Sequence, residues 1–354
     1  MMFTQSLIFF SVIALTFLTG LANGQEIPAT SGETSLETCV MQYYANGDED
    51  LTLAGIRALC SGNGPDEEDV EVAKISIAAD SNALEGAISS RINKERQTEF
   101  EPYVITPHRI NYILPALTTS RINKAAYTSF EGYEGNLQDI EAKFQLSIKV
   151  PLNRNSLFID GDGLYFAFTI QAWWQIYAQN ISKPFRETNY QPEFFYLAPT
   201  LWHPFGGNTG IVLGIEHQSN GRAQTLSRSW NRVYANFLFE KDNFALSFRP
   251  WVRLSEDVKA LPEDSAGDDN PDIEDFLGFY ELGMAYKWHD LEISIVSRYN
   301  FATYKGSAEL GLTFPMWGKL RGYATAFSGY GESLIDYHHS QTRFGLGIAL
   351  NNVL

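Results

Sequence analysis

The sequence has little positive charge, and beyond its N-terminal segment it lacks any long apolar run. Its 354 residues include 26 Lys or Arg against 42 Asp or Glu, for a net charge of −16. Nucleic-acid-binding proteins need basic patches, so we expect no nucleic-acid partner. After residue 24, no uncharged apolar stretch approaches the roughly 20 residues of a membrane helix, which excludes helical spans there.

The first 24 residues have the features of a secretory signal peptide. An apolar run, Leu7 to Leu18, is followed by small residues, with Ala22 and Gly24 placed as an A-x-G cleavage signal. No Lys or Arg precedes the run, so a single N-terminal anchor helix stays open as the alternative. Because the run is short for a membrane span, we predict cleavage before Gln25.

Cysteine is almost absent, and both cysteines, Cys39 and Cys60, lie near the start. An exported chain meets an oxidising compartment, which favours a Cys39–Cys60 disulfide over metal binding, since no His lies nearby. Residues 25–100 are acidic and poor in aromatics, with helical spacing from Ser81. We therefore predict an acidic N-terminal extension, partly disordered, over 25–100.

From about Tyr103 the composition changes, and aromatic-rich segments of about ten residues alternate in polarity from one residue to the next. Short breaks such as Lys241-Asp242 and His289-Asp290 alternate with long ones such as 255–276, which is typical of outer-membrane barrels. We predict an all-β, twelve-stranded antiparallel transmembrane barrel over 101–354. The predicted strands are roughly 103–117, 141–151, 163–177, 190–201, 210–219, 229–240, 243–254, 277–288, 290–300, 306–315, 319–330 and 341–351.

Within each segment one face is apolar and the other is mixed or polar, because successive side chains of a strand point to opposite sides. In 229–240, for example, Val233 and Phe237 share one face, and Arg232 and Tyr234 share the other. A soluble barrel would bury the apolar face, whereas a membrane barrel turns it to lipid. Tryptophans near strand ends favour the membrane, because Trp is enriched at bilayer interfaces. They are Trp173, Trp174, Trp202, Trp251, Trp288 and Trp317.

The stretch IEHQSNGRAQTLSRSWNRVY, from Ile215 to Tyr234, brings three chemically useful groups into one hairpin. Pairing symmetric about Gln224 places His217 opposite Asn231, and Ser219 lies two residues after His217 on the same face. His is the usual base for a serine nucleophile, and an Asn carbonyl can orient that base as Asp does. Ordinary polar loop residues are the alternative.

The motif HQSNGRAQTLSRSWNR resembles the signature of the outer membrane phospholipase A family. Further matching stretches are SKPFRETNYQPEFF, DDNPDIEDFLGFYEL and SGYGESLIDYHHSQTRFGLG. The resemblance covers nearly the whole barrel. It implies calcium-dependent hydrolysis of phospholipid acyl esters (phospholipase A1, A2 and lysophospholipase activity), dimerisation as the activating step, and residence in the outer membrane of a Gram-negative bacterium.

The resemblance also implies roles for individual residues. Ser219 corresponds to the nucleophile, His217 to the general base and Asn231 to the group that orients the base. Ca²⁺ is held in this family by oxygen ligands that correspond to the Arg222 carbonyl, the Ser227 hydroxyl and the Ser182 carbonyl of the other subunit.

The chain departs from the family pattern at two positions. Gln224 stands where the family's calcium loop can carry Asp, and a neutral amide attracts calcium less than a carboxylate does. Leu354 ends the chain where outer-membrane barrels often end in an aromatic residue.

Competing interpretations concern the lumen and two other pairs of residues. A passive porin-like barrel needs an open interior, whereas Arg232, Tyr234, Trp173 and Gln171 are predicted to point inward and fill it. His338-His339 suggests a metal pair, but adjacent side chains point apart, which favours a surface loop. Glu332 and Asp336 suggest an acid–base pair, but loop or lumen hydrogen bonding is the preferred interpretation.

Overall fold

The computed structural model describes residues 86–354, except 129, 260, 262, 263, 265, 266 and 319. The predicted signal peptide, the Cys39–Cys60 disulfide and most of the N-terminal extension lie outside the described residues. In the described part of the chain, no helix has the length and apolar character that a membrane crossing requires.

Twelve antiparallel strands form a closed barrel, as predicted. Each strand pairs with its neighbours in the chain, and the last strand pairs with the first to close the ring. A two-residue strand, β1, adds to the edge of β3. The strands are β1 (Thr106–Pro107), β2 (Tyr112–Thr119), β3 (Ile140–Pro151), β4 (Gly163–Trp174), β5 (Phe185–Thr200), β6 (Asn208–Ser219), β7 (Ser229–Lys241), β8 (Phe244–Leu254), β9 (Tyr280–Trp288), β10 (Leu291–Asn300), β11 (Lys305–Trp317), β12 (Leu320–Gly329) and β13 (Gln341–Ala349).

The apolar face of each strand points outward and the polar face points into the lumen. On β7, Phe237 is 50% exposed, while Arg232 and Tyr234 are each 5% exposed. Outward apolar and inward polar alternation is the membrane-barrel arrangement, because lipid replaces water as the outer solvent. A soluble barrel would require Phe237 inside, so that interpretation is wrong.

The predicted first strand, 103–117, is only partly correct. Residues 108–111 leave the ladder between β1 and β2, and a register shift interrupts the pairing of β2 with β3 beyond Leu114. Two prolines explain this, because Pro107 and Pro115 have no N–H to give to a ladder. The freed segment turns inward, where the rings of His108 and Phe195 stack.

The two rims of the barrel differ. One rim carries the long connections that precede β3, β5, β7, β9 and β13, whereas the other has two-residue turns at 242–243 and 289–290. Helix α1 (Ala87–Arg96) lies at the second rim, where Glu240 accepts hydrogen bonds from the backbone N–H groups of Ile88 and Ser89. A one-turn helix, α2 (Ile273–Leu277), belongs to the long connection before β9.

The lumen contains two sets of buried ion pairs. In the first, Arg186 pairs with Glu141 at 3.0 Å and with Asp336 at 2.9 Å, and Arg343 pairs with Glu141 at 2.6 Å. The second set joins two carboxylates to basic side chains from β7, from β8 and from the segment between β1 and β2. Its members are Glu193, Glu216, His108, Arg109, Arg232 and Arg249.

Two of the six tryptophans near strand ends lie in the lumen, as predicted for Trp173 but not for Trp251. Trp173 is fully buried, and Trp251 is 6% exposed and packs edge-on against Trp230. The Arg232 guanidinium lies 3.6 Å from the centre of the Trp230 ring. Because these rings and guanidinium groups fill the interior, the structure does not provide the open channel that a passive pore needs.

Candidate functional site

The hairpin of β6 and β7 aligns His217 with Asn231, as the symmetric register predicts. The two side chains are joined by a hydrogen bond of 2.8 Å between His217 Nδ1 and Asn231 Oδ1. Both point outward, on the same face as Ile215 and Val233, which are 48% and 46% exposed. An imidazole oriented by an amide oxygen is the arrangement that a general base requires.

Ser219 is the last residue of β6 and shares the outward face with His217, because the two are separated by one residue in a strand. Its neighbours across the ladders are Tyr190 on β5 and Ser229 on β7. Among the described residues, its hydroxyl makes no hydrogen bond. A serine hydroxyl without a partner can still serve as a nucleophile, since catalytic hydrogen bonds are often long or absent until a substrate is bound.

The turn after Ser219 is held by the buried side chain of Asn220. Its Oδ1 accepts from the backbone N–H groups of Arg222 and Arg228, and its Nδ2 donates to the Leu226 carbonyl at 2.8 Å. Gly221 adopts φ +62°, and a Cβ there would lie 3.3 Å from the ring of Tyr190. Glycine is favoured at this left-handed position. Its N–H has no acceptor among the described residues.

Oxygen atoms suited to a divalent cation lie at the end of this turn. The Ser227 hydroxyl donates to Asp269 Oδ2 at 2.6 Å, and the other Asp269 oxygen pairs with Lys259. Arg222 points its guanidinium away, toward the Phe185 carbonyl at 2.8 Å. A hydroxyl, a carboxylate and nearby carbonyls are the ligand types that Ca²⁺ takes.

Ser182 is exposed in the connection between β4 and β5, on the same rim as the β6–β7 turn. No contact of its own joins it to Arg222 or Ser227 within the described chain.

The discounted motifs have structural partners. His339 Nε2 contacts the Arg121 carbonyl, whereas the ring of His338 packs on Tyr337, so the histidines diverge. Burial lowers the pKa of His338, and the nearby Arg228 charge lowers it further. In the part of the chain that the structure describes, no cluster of three His, Cys, Asp or Glu could hold a metal.

Glu332 and Asp336 belong to the lumen ion pairs rather than to an acid–base site. Glu332 pairs with Lys143 at 2.8 Å. Burial alone would raise the pKa of the Asp336 carboxyl, but the Arg186 charge and the Ser333 hydrogen bond hold it below its ordinary value.

Two side chains near the site were missed by the sequence analysis, and both lie in the connection between β8 and β9. Asp269 supplies a carboxylate to Ser227, although position 224 carries Gln. Glu256 accepts a hydrogen bond of 2.9 Å from Asn231 Nδ2. The acidic character of 255–276 was the available signal, but it did not indicate which carboxylate reaches which partner.

Comparison with known proteins gives a consistent answer over most of the chain. A protein-family model described as Phospholipase A1 matches residues 88–350. Phospholipase A1 of Klebsiella pneumoniae is 37% identical over 306 residues, which is 86% of this chain and 99% of the relative. Phospholipase A1 of Escherichia coli K12 is 37% identical over 283 residues, which is 79% of this chain and 92% of the relative.

Solved structures agree with the sequence comparisons. Outer membrane phospholipase A from Escherichia coli superposes with a TM-score of 0.68 at 36% identity, covering 75% of this chain and 98% of the other. The Salmonella typhi outer membrane phospholipase, crystallised as a dimer with bound calcium, gives a TM-score of 0.67 at 35% identity, covering 74% and 98%.

Proposed function

The chain belongs to the phospholipase A1 family of Gram-negative outer membranes, and from this premise we propose that Ser219, His217 and Asn231 are its catalytic triad. The enzyme hydrolyses phospholipid esters. The observation that carries the triad is the 2.8 Å hydrogen bond between His217 and Asn231 on the lipid-facing wall, beside an uncommitted serine hydroxyl.

The proton path follows from this geometry. Asn231 Oδ1 accepts the Nδ1 proton of His217, which leaves Nε2 unprotonated and able to take the Ser219 proton. The Ser219 oxygen then attacks the acyl carbonyl, and His217 returns the proton to the departing alcohol. Water, activated by the same imidazole, releases the fatty acid from the acyl-enzyme.

Calcium is proposed to bind beside the turn at 220–228. The Arg222 carbonyl and the Ser227 hydroxyl are the ligands implied by the family resemblance, and Asp269 adds the carboxylate that position 224 lacks. The bound cation would supply positive charge for the developing oxyanion. The family resemblance implies the backbone amide of Ser219 as a donor to the same oxygen, and the Gly221 amide, which has no acceptor among the described residues, lies two residues further along the turn.

We propose the dimer as the active form, with Ser182 of the partner subunit completing the calcium site. The Salmonella typhi relative is a dimer with bound calcium. Because the triad faces lipid, phospholipid would approach laterally from the membrane, and a second barrel would complete the groove for its acyl chain. Such a groove suits cleavage of either acyl ester of a phospholipid, and it also suits cleavage of the single acyl ester of a lysophospholipid.

The test is phospholipid hydrolysis by the full chain, refolded in detergent, with calcium and with chelator. Wild type should release fatty acid only with calcium, and Ser219→Ala should not release it at all. Ser328→Ala, which removes an exposed strand hydroxyl elsewhere, should behave as wild type. If Ser219→Ala retains activity, or if a folded wild-type dimer is inactive at high calcium, the proposed triad is wrong.

A further inference from the structure

Asn231 makes two hydrogen bonds, one from each end of its amide. Its Oδ1 lies 2.8 Å from His217 Nδ1, and its Nδ2 donates to Glu256 Oε1 at 2.9 Å. Glu256 follows the end of β8 by two residues and is partly buried. The Glu256 carboxylate is thus joined to the imidazole through a single amide.

An isolated asparagine does not dictate which end of its amide faces a histidine. If the amide turned over, its NH₂ would donate to Nδ1, and the His217 proton would then reside on Nε2. An Nε2-protonated neutral imidazole cannot accept a proton from Ser219, so this orientation is inactive.

A carboxylate removes the ambiguity, because an ionised Glu accepts hydrogen bonds and donates none. With Glu256 in place, the NH₂ group must face the carboxylate, and Oδ1 must therefore face the imidazole. The negative charge also polarises the amide in the sense that stabilises His217 when it becomes a cation.

We propose that Glu256 is a positioning residue of the esterase site, which fixes the Asn231 amide and, through it, the productive tautomer of His217. The inference rests on the proposed triad. It makes the site a four-residue chain, with Ser219 at one end, His217 and Asn231 in the middle, and a loop carboxylate at the other end.

A role for Glu256 in calcium binding is a different hypothesis with a different signature. Asp269 contacts Ser227, whereas Glu256 contacts the triad amide, so the two carboxylates have different partners. Loss of a calcium ligand raises the calcium needed for half-maximal activity, whereas loss of a positioning group lowers kcat at saturating calcium.

The first experiment measures kcat, KM and the calcium dependence of Glu256→Ala and Glu256→Gln. At saturating calcium we expect kcat to fall by about 10- to 100-fold in Glu256→Ala and by less in Glu256→Gln, whose carbonyl still accepts. KM and the calcium midpoint should stay near wild type. Asp257→Ala removes a charge from the adjacent exposed residue and should leave kcat unchanged.

The second experiment measures the effect of the Glu256 substitutions in variants of Asn231. If Glu256 had a merely structural role, its loss would lower kcat equally with and without Asn231. Glu256→Ala should have no further effect on kcat in Asn231→Ala, because the link to His217 is already cut. In Asn231→Asp the introduced carboxylate would lie beside the Glu256 carboxylate, and the two would repel each other, since neighbouring like charges resist joint ionisation. There, Glu256→Gln should raise kcat, although it lowers kcat in wild type.

An unchanged kcat in Glu256→Ala would overturn the proposal. So would an equal loss from Glu256→Ala with and without Asn231, or a shift in the calcium midpoint alone. Failure of the triad itself is distinguishable, because Ser219→Ala would then be as active as wild type. The heat-dependent shift in electrophoretic mobility reports the folded fraction of each variant.

Discussion

The lumen holds full charges in closed sets of ion pairs, whereas the outward face beside Ser219 holds a hydroxyl, an imidazole and an amide. Arg186 in the lumen contacts both Glu141 and Asp336, each within 3.0 Å. On the outer wall, the Asn231 amide of this set donates a hydrogen bond to the Glu256 carboxylate, which comes from the connection between β8 and β9.

The difference follows from the two solvents. A charge that faces lipid costs about 2–4 kcal/mol near the bilayer midplane and less near the interfaces, whereas a lumen charge can be paired. The lumen charges are thus paired with one another, whereas the proposed triad on the outer wall contains no carboxylate, and Glu256 and Asp269 contact it or the neighbouring turn from the connection between β8 and β9. If this division is real, mutations in the two regions should have separable effects on folding and on rate.

The largest expected effect is on rate. His217→Ala should lower kcat by about 10⁴-fold or more, because removal of a triad member leaves little beyond binding and oxyanion stabilisation. Its free energy of unfolding should change by less than about 1 kcal/mol, since Asn231 is the only hydrogen-bond partner of the His217 side chain among the described residues.

His203→Ala is the matched control, because this exposed histidine lies on the opposite rim and, in the described part of the chain, its side chain hydrogen-bonds to its own turn, at the Gly207 carbonyl. Its turnover should equal that of wild type. If both histidine variants lost activity equally, the rate loss would not belong to the triad.

The second effect is on stability. Arg186→Met leaves Glu141 and Asp336 buried with fewer partners, and loss of one member of a buried ion pair costs about 3–5 kcal/mol. Turnover per folded molecule should change little. Unfolding in denaturant and fatty-acid release, measured on the same samples, separate the two quantities. Arg121→Met, which removes an exposed arginine, should leave both unchanged, and wild-type stability in Arg186→Met would contradict the division.

Much of the barrel could be predicted from the sequence, because a period of two requires only local residues. The bounds of β3, β7 and β8 agree with prediction within about one residue, and the register that aligns His217 with Asn231 follows from one hairpin. The first strand was only partly correct, because Pro107 and Pro115 interrupt the ladder and residues 108–111 make inward contacts instead. Such contacts join distant strands and leave no periodic signal.

The carboxylates near the site could not be predicted from local sequence patterns for the same reason. Glu256 is 25 residues from Asn231, and Asp269 is 42 residues from Ser227. Both carboxylates belong to an irregular connection, where neither pleat nor turn rules fix a side-chain direction. The motif predicts the residues that react, but only the folded chain shows which acidic residues contact the hairpin that carries them.

The third effect is on calcium dependence. Asp269→Asn should raise the calcium needed for half-maximal activity by about tenfold or more, because a neutral amide replaces a carboxylate next to Ser227. Lys259→Gln should lower it, since Lys259 now pairs with that carboxylate and competes with a cation. Calcium titrations of hydrolysis measure both shifts. If both variants shift in the same direction, Asp269 is not a ligand.

The smallest expected effect is a pH dependence of the free energy of unfolding, which we attribute to ionisable groups in the lumen. Although burial opposes it, the Arg186 charge keeps the pKa of Asp336 below its ordinary value. A carboxyl with a depressed folded-state pKa contributes stability above its unfolded-state pKa, about 3.9, and loses it as pH falls through the folded-state value. The stability difference between wild type and Asp336→Asn should therefore be constant from pH 7 to 5 and shrink below pH 4.

Denaturant unfolding of both proteins across this range measures the difference, and Asp290→Asn, in an exposed turn of the opposite rim, provides the control. The small difference in free energy of unfolding between Asp290→Asn and wild type should not shrink as the pH falls. A difference for Asp336→Asn that persists unchanged at pH 3 would show that the carboxyl acts through its shape and hydrogen bonds. The contrast between a charged lumen and a neutral outer site would then need to rest on Glu141 and Arg343 instead.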